Sequence, residues 1–114
     1  MLEFELPYPP SVNHYFRMVG GRMLISREGR AFRNRVCSIL AALGVRALAG
    51  PLAVEVEVYP PDNRRRDVDN TLKSLLDALQ HGGAYCDDSQ IVDLRVRKCA
   101  AVEGGRTLVR IAQA

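Results

Sequence analysis

Lysine is nearly absent from this chain, with two residues against fourteen arginines in a total of 114. Basic charge of that kind suits phosphate recognition, because the planar guanidinium fork matches a phosphate's oxygens. An Arg-, Ala-, Gly- and Val-rich composition is also what a GC-rich genome yields, so placement rather than total carries the argument. Long hydrophobic runs are missing too. None approaches the roughly 20 residues that span a bilayer, and the start Met1-Leu2-Glu3-Phe4-Glu5-Leu6-Pro7 lacks the basic and apolar regions of a signal peptide. A cytoplasmic protein with no membrane partner is expected. Cysteine is sparse, odd in number and widely spaced: Cys37, Cys86 and Cys99 form no Cys-x-x-Cys pair and have no histidine at zinc spacing. They read as reduced structural thiols. The two histidines, His14 and His81, fall in turn-like contexts and read as structural or incidental. Internal repeats and a low-complexity tail are likewise absent.

What is present suits a soluble, globular, single domain spanning residues 1–114. Leu2–Leu6 alternates as a strand, and Pro7-Tyr8-Pro9-Pro10 stops it before a turn or loop over residues 11–15. Gly20-Gly21 suggests a short hairpin of Tyr15–Met18 against Arg22–Ile25. Ser26 is the expected cap of a helix whose apolar stripe runs through Phe32, Val36, Ile39, Leu40 and Leu43. Arg27, Arg30, Arg33 and Arg35 lie mostly off that stripe, either as a solvated face or as phosphate contacts. Leu52–Val58 is the clearest strand, broken by Pro60-Pro61-Asp62-Asn63. A second helix is expected from Asp69 or Asn70 as cap, along Leu72, Leu75, Leu76 and Leu79, to His81-Gly82-Gly83. Ile91–Arg97 then alternates with Val92, Leu94 and Val96 inward. Gly104-Gly105 would turn it into a hairpin with Thr107–Ile111. The order predicts an α/β (α+β) fold, a mixed sheet of about four to six strands packed by two main helices.

One stretch organises the rest: Arg64-Arg65-Arg66-Asp67-Val68-Asp69-Asn70, with Lys73 one turn on and Asp87-Asp88 beyond the next loop. In an extended segment Asp67 and Asp69 point the same way, and two like charges there require a cation or several hydrogen bonds. Mg²⁺ is a natural solution, since it takes a couple of carboxylates together with waters and phosphate oxygens. The arginines beside it read as a phosphate clamp. Helical spacing puts Asp69, Lys73 and Asp77 on one face, either as a site or as a plain surface charge ladder. Asp69 has an ordinary alternative as a helix cap; Asp67 has none. At most one of Asp87 and Asp88 can join the pair, and position alone gives Asp88 only a slight edge. The chemistry indicated is metal-assisted phosphodiester cleavage. Asp67–Thr71 also fits D-x-D-x-T, which resembles the nucleophile motif of haloacid-dehalogenase phosphatases, but its mid-chain setting after three arginines is wrong for that family. A calcium loop fails, because Leu72 and Ala78 stand where Gly and Glu are needed.

The full pattern resembles the RusA-type Holliday-junction resolvases, small endonucleases of bacteria and their prophages. The resemblance runs through Pro9-Pro10-Ser11-x-Asn13, Ser26-x-Glu28-Gly29, Arg65-Arg66-Asp67-x-Asp69-Asn70-x-x-Lys73, Asp77-Ala78-Leu79, Asp87-Asp88-x-Gln90-Ile91-Val92-Asp93 and Gly104-Gly105-Arg106. It implies Asp67, Asp69 and Asp88 as catalytic, Mg²⁺-binding carboxylates, with Mn²⁺ able to replace Mg²⁺, and Lys73 as the essential basic residue. Arg64, Arg65, Arg66 and Asn70 are the DNA contacts expected. It also implies a homodimer whose two-fold axis matches that of a four-way junction, so that two sites nick opposed strands in recombination and repair. Two other classes stay open on the residues alone: a junction-binding protein that cuts nothing, and a structural module with ordinary surface charge.

Overall fold

The computed structural model describes residues 1–114. Ten elements follow one another: β1 (Leu2–Leu6), α1 (Val12–Tyr15), β2 (Phe16–Val19), β3 (Arg22–Ile25), α2 (Arg27–Ala42), β4 (Leu52–Tyr59), α3 (Leu72–His81), a 3₁₀ turn (Asp88–Gln90), β5 (Ile91–Lys98) and β6 (Arg106–Gln113). Four strands form one sheet in the order β1-β6-β4-β5, and β2 and β3 make a separate antiparallel hairpin. β4 is central. It pairs antiparallel with β6 and parallel with β5, so the sheet is mixed. The expected α+β architecture, with two main helices against a mixed sheet, is the one observed.

Alternation in β4 explains its place. Leu52, Val54, Val56 and Val58 are almost wholly buried on one face and join a single core with Phe4, Leu6, Val36, Leu40, Leu75, Leu79, Val109 and Ile111. The opposite face carries a charge ladder: Arg110 Nε lies 2.6 Å from Glu3 and its Nη1 3.7 Å from Glu57, while Arg97 lies 3.3 Å from Glu57. Ser26 caps α2 as expected, its Oγ accepting the Gly29 N–H at 2.9 Å.

Three expectations change. β5 and β6 do not form a hairpin, because β4 lies between them. Their connection instead crosses the end of β4, where Cys99 N donates to Val58 O at 2.8 Å and Val102 N to Pro60 O at 2.9 Å. Gly104 and Gly105 still turn the chain, with φ of +79° and +67°. β5 is consequently a sheet edge. Leu94 and Val96 align with Val54 and Val56 on the helix-side face, but nothing closes over the edge, and Val92 and Leu94 are 65% and 39% exposed. Finally, α3 starts later than expected. Neither Asp69 nor Asn70 caps it; residues 68–71 form a turn, and Thr71 occupies the cap position without a side-chain bond. The backbone builds that turn itself, through Asn70 N to Asp67 O at 3.2 Å and Leu72 N to Asp69 O at 3.1 Å.

Candidate active site

The loop from β4 to α3 is held from both sides. Asp62 gathers the arginines that precede the acidic pair: Arg66 Nη1 lies 2.7 Å from its Oδ1, and Arg64 donates a backbone N–H at 3.0 Å and Nε at 3.2 Å. The Arg66 hydrogen bond, followed by the Arg64 backbone N–H, holds the Asp62 carboxyl well below the usual carboxylate range. Arg66 also lies over the Tyr8 ring, 5.9 Å from its centroid, and is only 18% exposed. It works as a strut of the loop. Arg64 and Arg65 point outward, and Arg65 forms no ion pair. At the far end of the turn, Asn70 O accepts the Val12 N–H at 3.0 Å, and Ser74 Oγ lies 2.6 Å from Pro10 O. The loop is thereby fastened to the Pro7–Ser11 segment.

That arrangement leaves the acidic pair unengaged. Asp67 and Asp69 are exposed, and neither carboxylate forms an ion pair with the three arginines beside it. Because residues 68–71 turn, strand alternation no longer relates the two side chains; Asp67 precedes the turn and Asp69 lies within it. Asp69 has also lost its ordinary role as a cap. Lys73, in the first turn of α3, is exposed and lies over the Phe16 ring at 5.9 Å from its centroid.

The Asp69–Lys73–Asp77 ladder does not form. Asp77 is half-buried between α3 and α2, with Arg33 Nη2 2.8 Å from its Oδ2 and the Tyr15 hydroxyl donating to the same oxygen. Burial pushes its carboxyl up, but the Tyr15 and Arg33 hydrogen bonds outweigh that and hold it below its ordinary value. Burial, together with the Asp77 hydrogen bond, pushes Tyr15 up to about 12, so it remains a donor. Arg33 is therefore neither a solvated nor a phosphate-facing residue.

Asp87 and Asp88 separate clearly. Asp87 closes a capping box on the 3₁₀ turn, accepting the Ser89 N–H at 2.9 Å, and that bond lowers its carboxyl. Asp88 is exposed and forms no ion pair; its backbone N–H donates to Gln80 Oε1 at 3.0 Å. Gln90 fixes the whole segment, accepting from Cys86 N and Asp87 N and donating to Leu48 O and Gly50 O. Asp88 nevertheless stands at the opposite end of α3 from Asp67 and Asp69. It precedes β5, whose start aligns with Leu52, whereas the arginine loop follows Tyr59 at the other end of β4. The length of β5 between these ends is about 23 Å at roughly 3.3 Å per residue. No three His, Cys, Asp or Glu side chains of the chain converge into a group that could hold a metal ion.

Beside the loop opens a groove of about 640 Å³, lined by Tyr8, Pro10, Glu28, Arg35, Arg64 and Arg65 among others. Asn70 also lines it, and so does His14, whose Nδ1 lies 3.0 Å from Ser11 Oγ. Arg35, left open between a solvated face and a phosphate contact, is at the groove, whereas the contribution of Pro7–Ser11 escaped the sequence reading, which took the proline run only as the end of a strand. His81 lies 3.9 Å from Asp77 Oδ1, away from the groove. All three cysteines are unpaired. No helix is long and apolar enough to cross a membrane.

The sequence profile described as endodeoxyribonuclease RusA matches residues 7–112, nearly the whole chain. This chain belongs to the RusA family. A crossover junction endodeoxyribonuclease RusA of Escherichia coli (strain K12) is 44% identical over 110 residues, covering 95% of this chain and 91% of that protein. The RusA protein of the same description from Enterobacteria phage 82 has the same identity and coverage. The one from Enterobacteria phage HK97 is 42% identical over 112 residues, covering 97% and 93%. The profile match spans the Pro7–Ser11 strap, the arginine loop, α3 and the Asp88 segment.

Proposed function

We propose that this chain is an Mg²⁺-dependent endodeoxyribonuclease that resolves four-way DNA junctions by paired symmetric nicks, in recombination and repair. The observation that carries the reading is the unengaged, exposed pair Asp67 and Asp69, on the same loop as the groove-lining Arg64, Arg65 and Asn70 and just before Lys73 in sequence, in a RusA family chain. Arginines that could have neutralised the pair are drawn to Asp62 instead. Two exposed carboxylates facing a phosphate chain would weaken binding by repulsion, so a pure DNA-binding protein gains nothing from them.

The donor set fits a hard divalent ion, since Mg²⁺ uses few protein carboxylates and completes its shell with water and phosphate oxygens. Asp67 and Asp69 would hold it from one side. Bound there, it would supply Lewis acidity toward the scissile phosphodiester. Asp88 of the same chain lies at the far end of α3, so the third carboxylate is supplied by Asp88 of the partner subunit. Each site of a homodimer then takes Asp67, Asp69 and Lys73 from one chain and Asp88 from the other. Lys73 sets its ammonium where negative charge grows on the phosphate during cleavage. Arg64, Arg65 and Asn70 line the approach and position backbone phosphates without reading sequence, while Arg66 holds the loop that presents them.

The test is cleavage of a labelled synthetic four-way junction, with Mg²⁺ or with EDTA, beside a linear duplex and the Asp67→Asn variant. Paired nicks that need both the ion and Asp67 are expected. Asp67→Asn should still bind the junction, as tightly as the parent or tighter through lost repulsion. Binding without cutting by the parent chain would leave only a junction-binding protein, and loss of both binding and cutting in a folded Asp67→Asn would remove Asp67 from catalysis.

A further inference from the structure

We infer that the β2–β3 hairpin is a wedge for the branch point of a four-way junction, where Met18 and Met23 cover base faces left unstacked between the arms. This rests on the nuclease proposed above and gives it a means of telling a branch from a linear duplex. Met18 and Met23 are 63% and 61% exposed, and Val19 and Leu24 are exposed beside them. The hairpin is a two-stranded sheet of its own, so no strand of the main sheet covers it. Folding gains nothing from leaving such a surface in water, and a patch of this kind marks a binding surface.

Strand register orders these side chains. Met18 pairs with Met23, and Phe16 with Ile25 two residues nearer the base, so all four share one face. Phe16 and Ile25 pack against the core, and Ser26 N donates to Tyr15 O at 2.8 Å, closing the base of the hairpin. Met18 and Met23 continue the same face about 7 Å farther out, at the usual rise of a strand. Gly20 and Gly21, with φ of +56° and +75°, close the tip without adding a side chain to either face. Phe16 is also the ring over which Lys73 lies, at 5.9 Å from its centroid. The apolar face thus runs outward from the ammonium proposed to act on the scissile phosphate.

Charge selects nucleic acid as the occupant. No acidic residue occurs between Glu5 and Glu28, whereas Arg17 and Arg22 lie on the hairpin and Arg27 just after it. All three arginines are exposed, and none forms an ion pair. Arg17 pairs with Leu24 and Arg22 with Val19, on the face opposite the methionines. One face therefore suits bases, and the other suits phosphates. In a linear duplex each base face is covered by its neighbour, but at a branch point the stack is interrupted. Proteins that open base steps insert apolar wedges of this kind, methionine among them.

The test uses the full chain in EDTA, with a four-way junction carrying 2-aminopurine beside the branch point and a linear duplex as control. Binding of the parent should raise the 2-aminopurine fluorescence about twofold or more, as the base leaves its stack. M18S/M23S should lose that rise and bind the junction about tenfold more weakly, with duplex affinity within about twofold of the parent. M18L/M23L should behave as the parent, since the wedge needs apolar bulk rather than sulfur. Circular dichroism checks that these changes of exposed side chains leave the fold intact. No rise with the parent, a rise that persists in M18S/M23S, or equal loss of junction and duplex affinity would each overturn the wedge and leave the nuclease reading standing. A change in sedimentation of the DNA-free chain on M18S/M23S substitution would overturn it too, assigning the face to a contact between chains. A parent chain that neither binds nor cuts a four-way junction would instead remove the nuclease reading, and the wedge with it.

Discussion

The Asp77 carboxylate sits half-buried between the Tyr15 hydroxyl and the Arg33 guanidinium, and its neighbours decide its role. Asp67, ten residues earlier, has no such partners and stays open to solvent. Two acidic residues of the same motif-rich stretch thus divide into a strut and a candidate ligand. Replacing Asp77 by Asn removes the ion pair with Arg33 and should lower stability by about 1.5 kcal/mol in urea unfolding at neutral pH. The folded carboxyl is held below its ordinary value, so its stabilising effect is present above the unfolded value and disappears as pH falls through the folded one. The gap between parent and Asp77→Asn should therefore close below about pH 4; a gap that widened there would contradict the pairing. Lys73 makes the opposite prediction. Its only contact of note is the Phe16 ring, an exposed interaction, so Lys73→Ala should barely change stability. Cleavage of a four-way junction should instead fall by roughly 10²–10³-fold, with binding changed only a few-fold. A proportional loss of binding and cleavage would assign Lys73 to DNA contact alone.

At the scale of elements, β4, α2 and α3 were legible because each carries a complete periodic signal: Leu52, Val54, Val56 and Val58 at period two, and helical stripes through Val36–Leu40 and Leu75–Leu79. β5 shows what periodicity omits. Alternation in Ile91–Lys98 identifies the strand, but not which neighbour it takes, so Val92 and Leu94 read as inward although the edge leaves them exposed. Similarly, Asp69 has the chemistry of a cap, yet the backbone closes the turn without it, and that choice depends on Val12 and Pro10 far away in sequence. Gly29 concerns the start of α2 and lies inside a helix, where propensity alone makes Gly→Ala favourable by about 1 kcal/mol. Packing reverses the sign. A Cβ there would collide with the Tyr15 carbonyl oxygen and approach Ile25 Cγ1 to 2.9 Å, and that same carbonyl accepts the Ser26 N–H at 2.8 Å. Gly29→Ala should therefore destabilise by about 2 kcal/mol, as a lowered urea midpoint with unchanged slope. Stabilisation by the substitution would mean that α1 and α2 are less tightly seated than these contacts require.

For the whole molecule, the proposed site makes the number of chains part of the chemistry. Asp67 and Asp69 follow β4, Asp88 precedes β5, and these strands run parallel, so α3 separates the two groups in each chain. No sequence pattern could reveal this, because spacing along a chain says nothing of which end of a sheet each segment reaches. If each site combines Asp67 and Asp69 of one chain with Asp88 of the other, two inactive variants should rescue each other. Asp67→Asn homodimers have both sites damaged, and so do Asp88→Asn homodimers. In a mixed dimer, one site collects both substitutions and the other collects none. Co-refolded mixtures should regain nicking of a four-way junction while each variant alone stays silent. The nick should fall on one strand per junction, since only one site is whole. Random assortment makes half of the dimers mixed, so activity per dimer should approach one quarter of the parent's site count. Sites contained within single chains predict no recovery at any mixing ratio, because every site then carries one substitution or the other. Single-strand nicking by the mixture would thus report both the shared site and the two-fold assembly proposed for paired nicking.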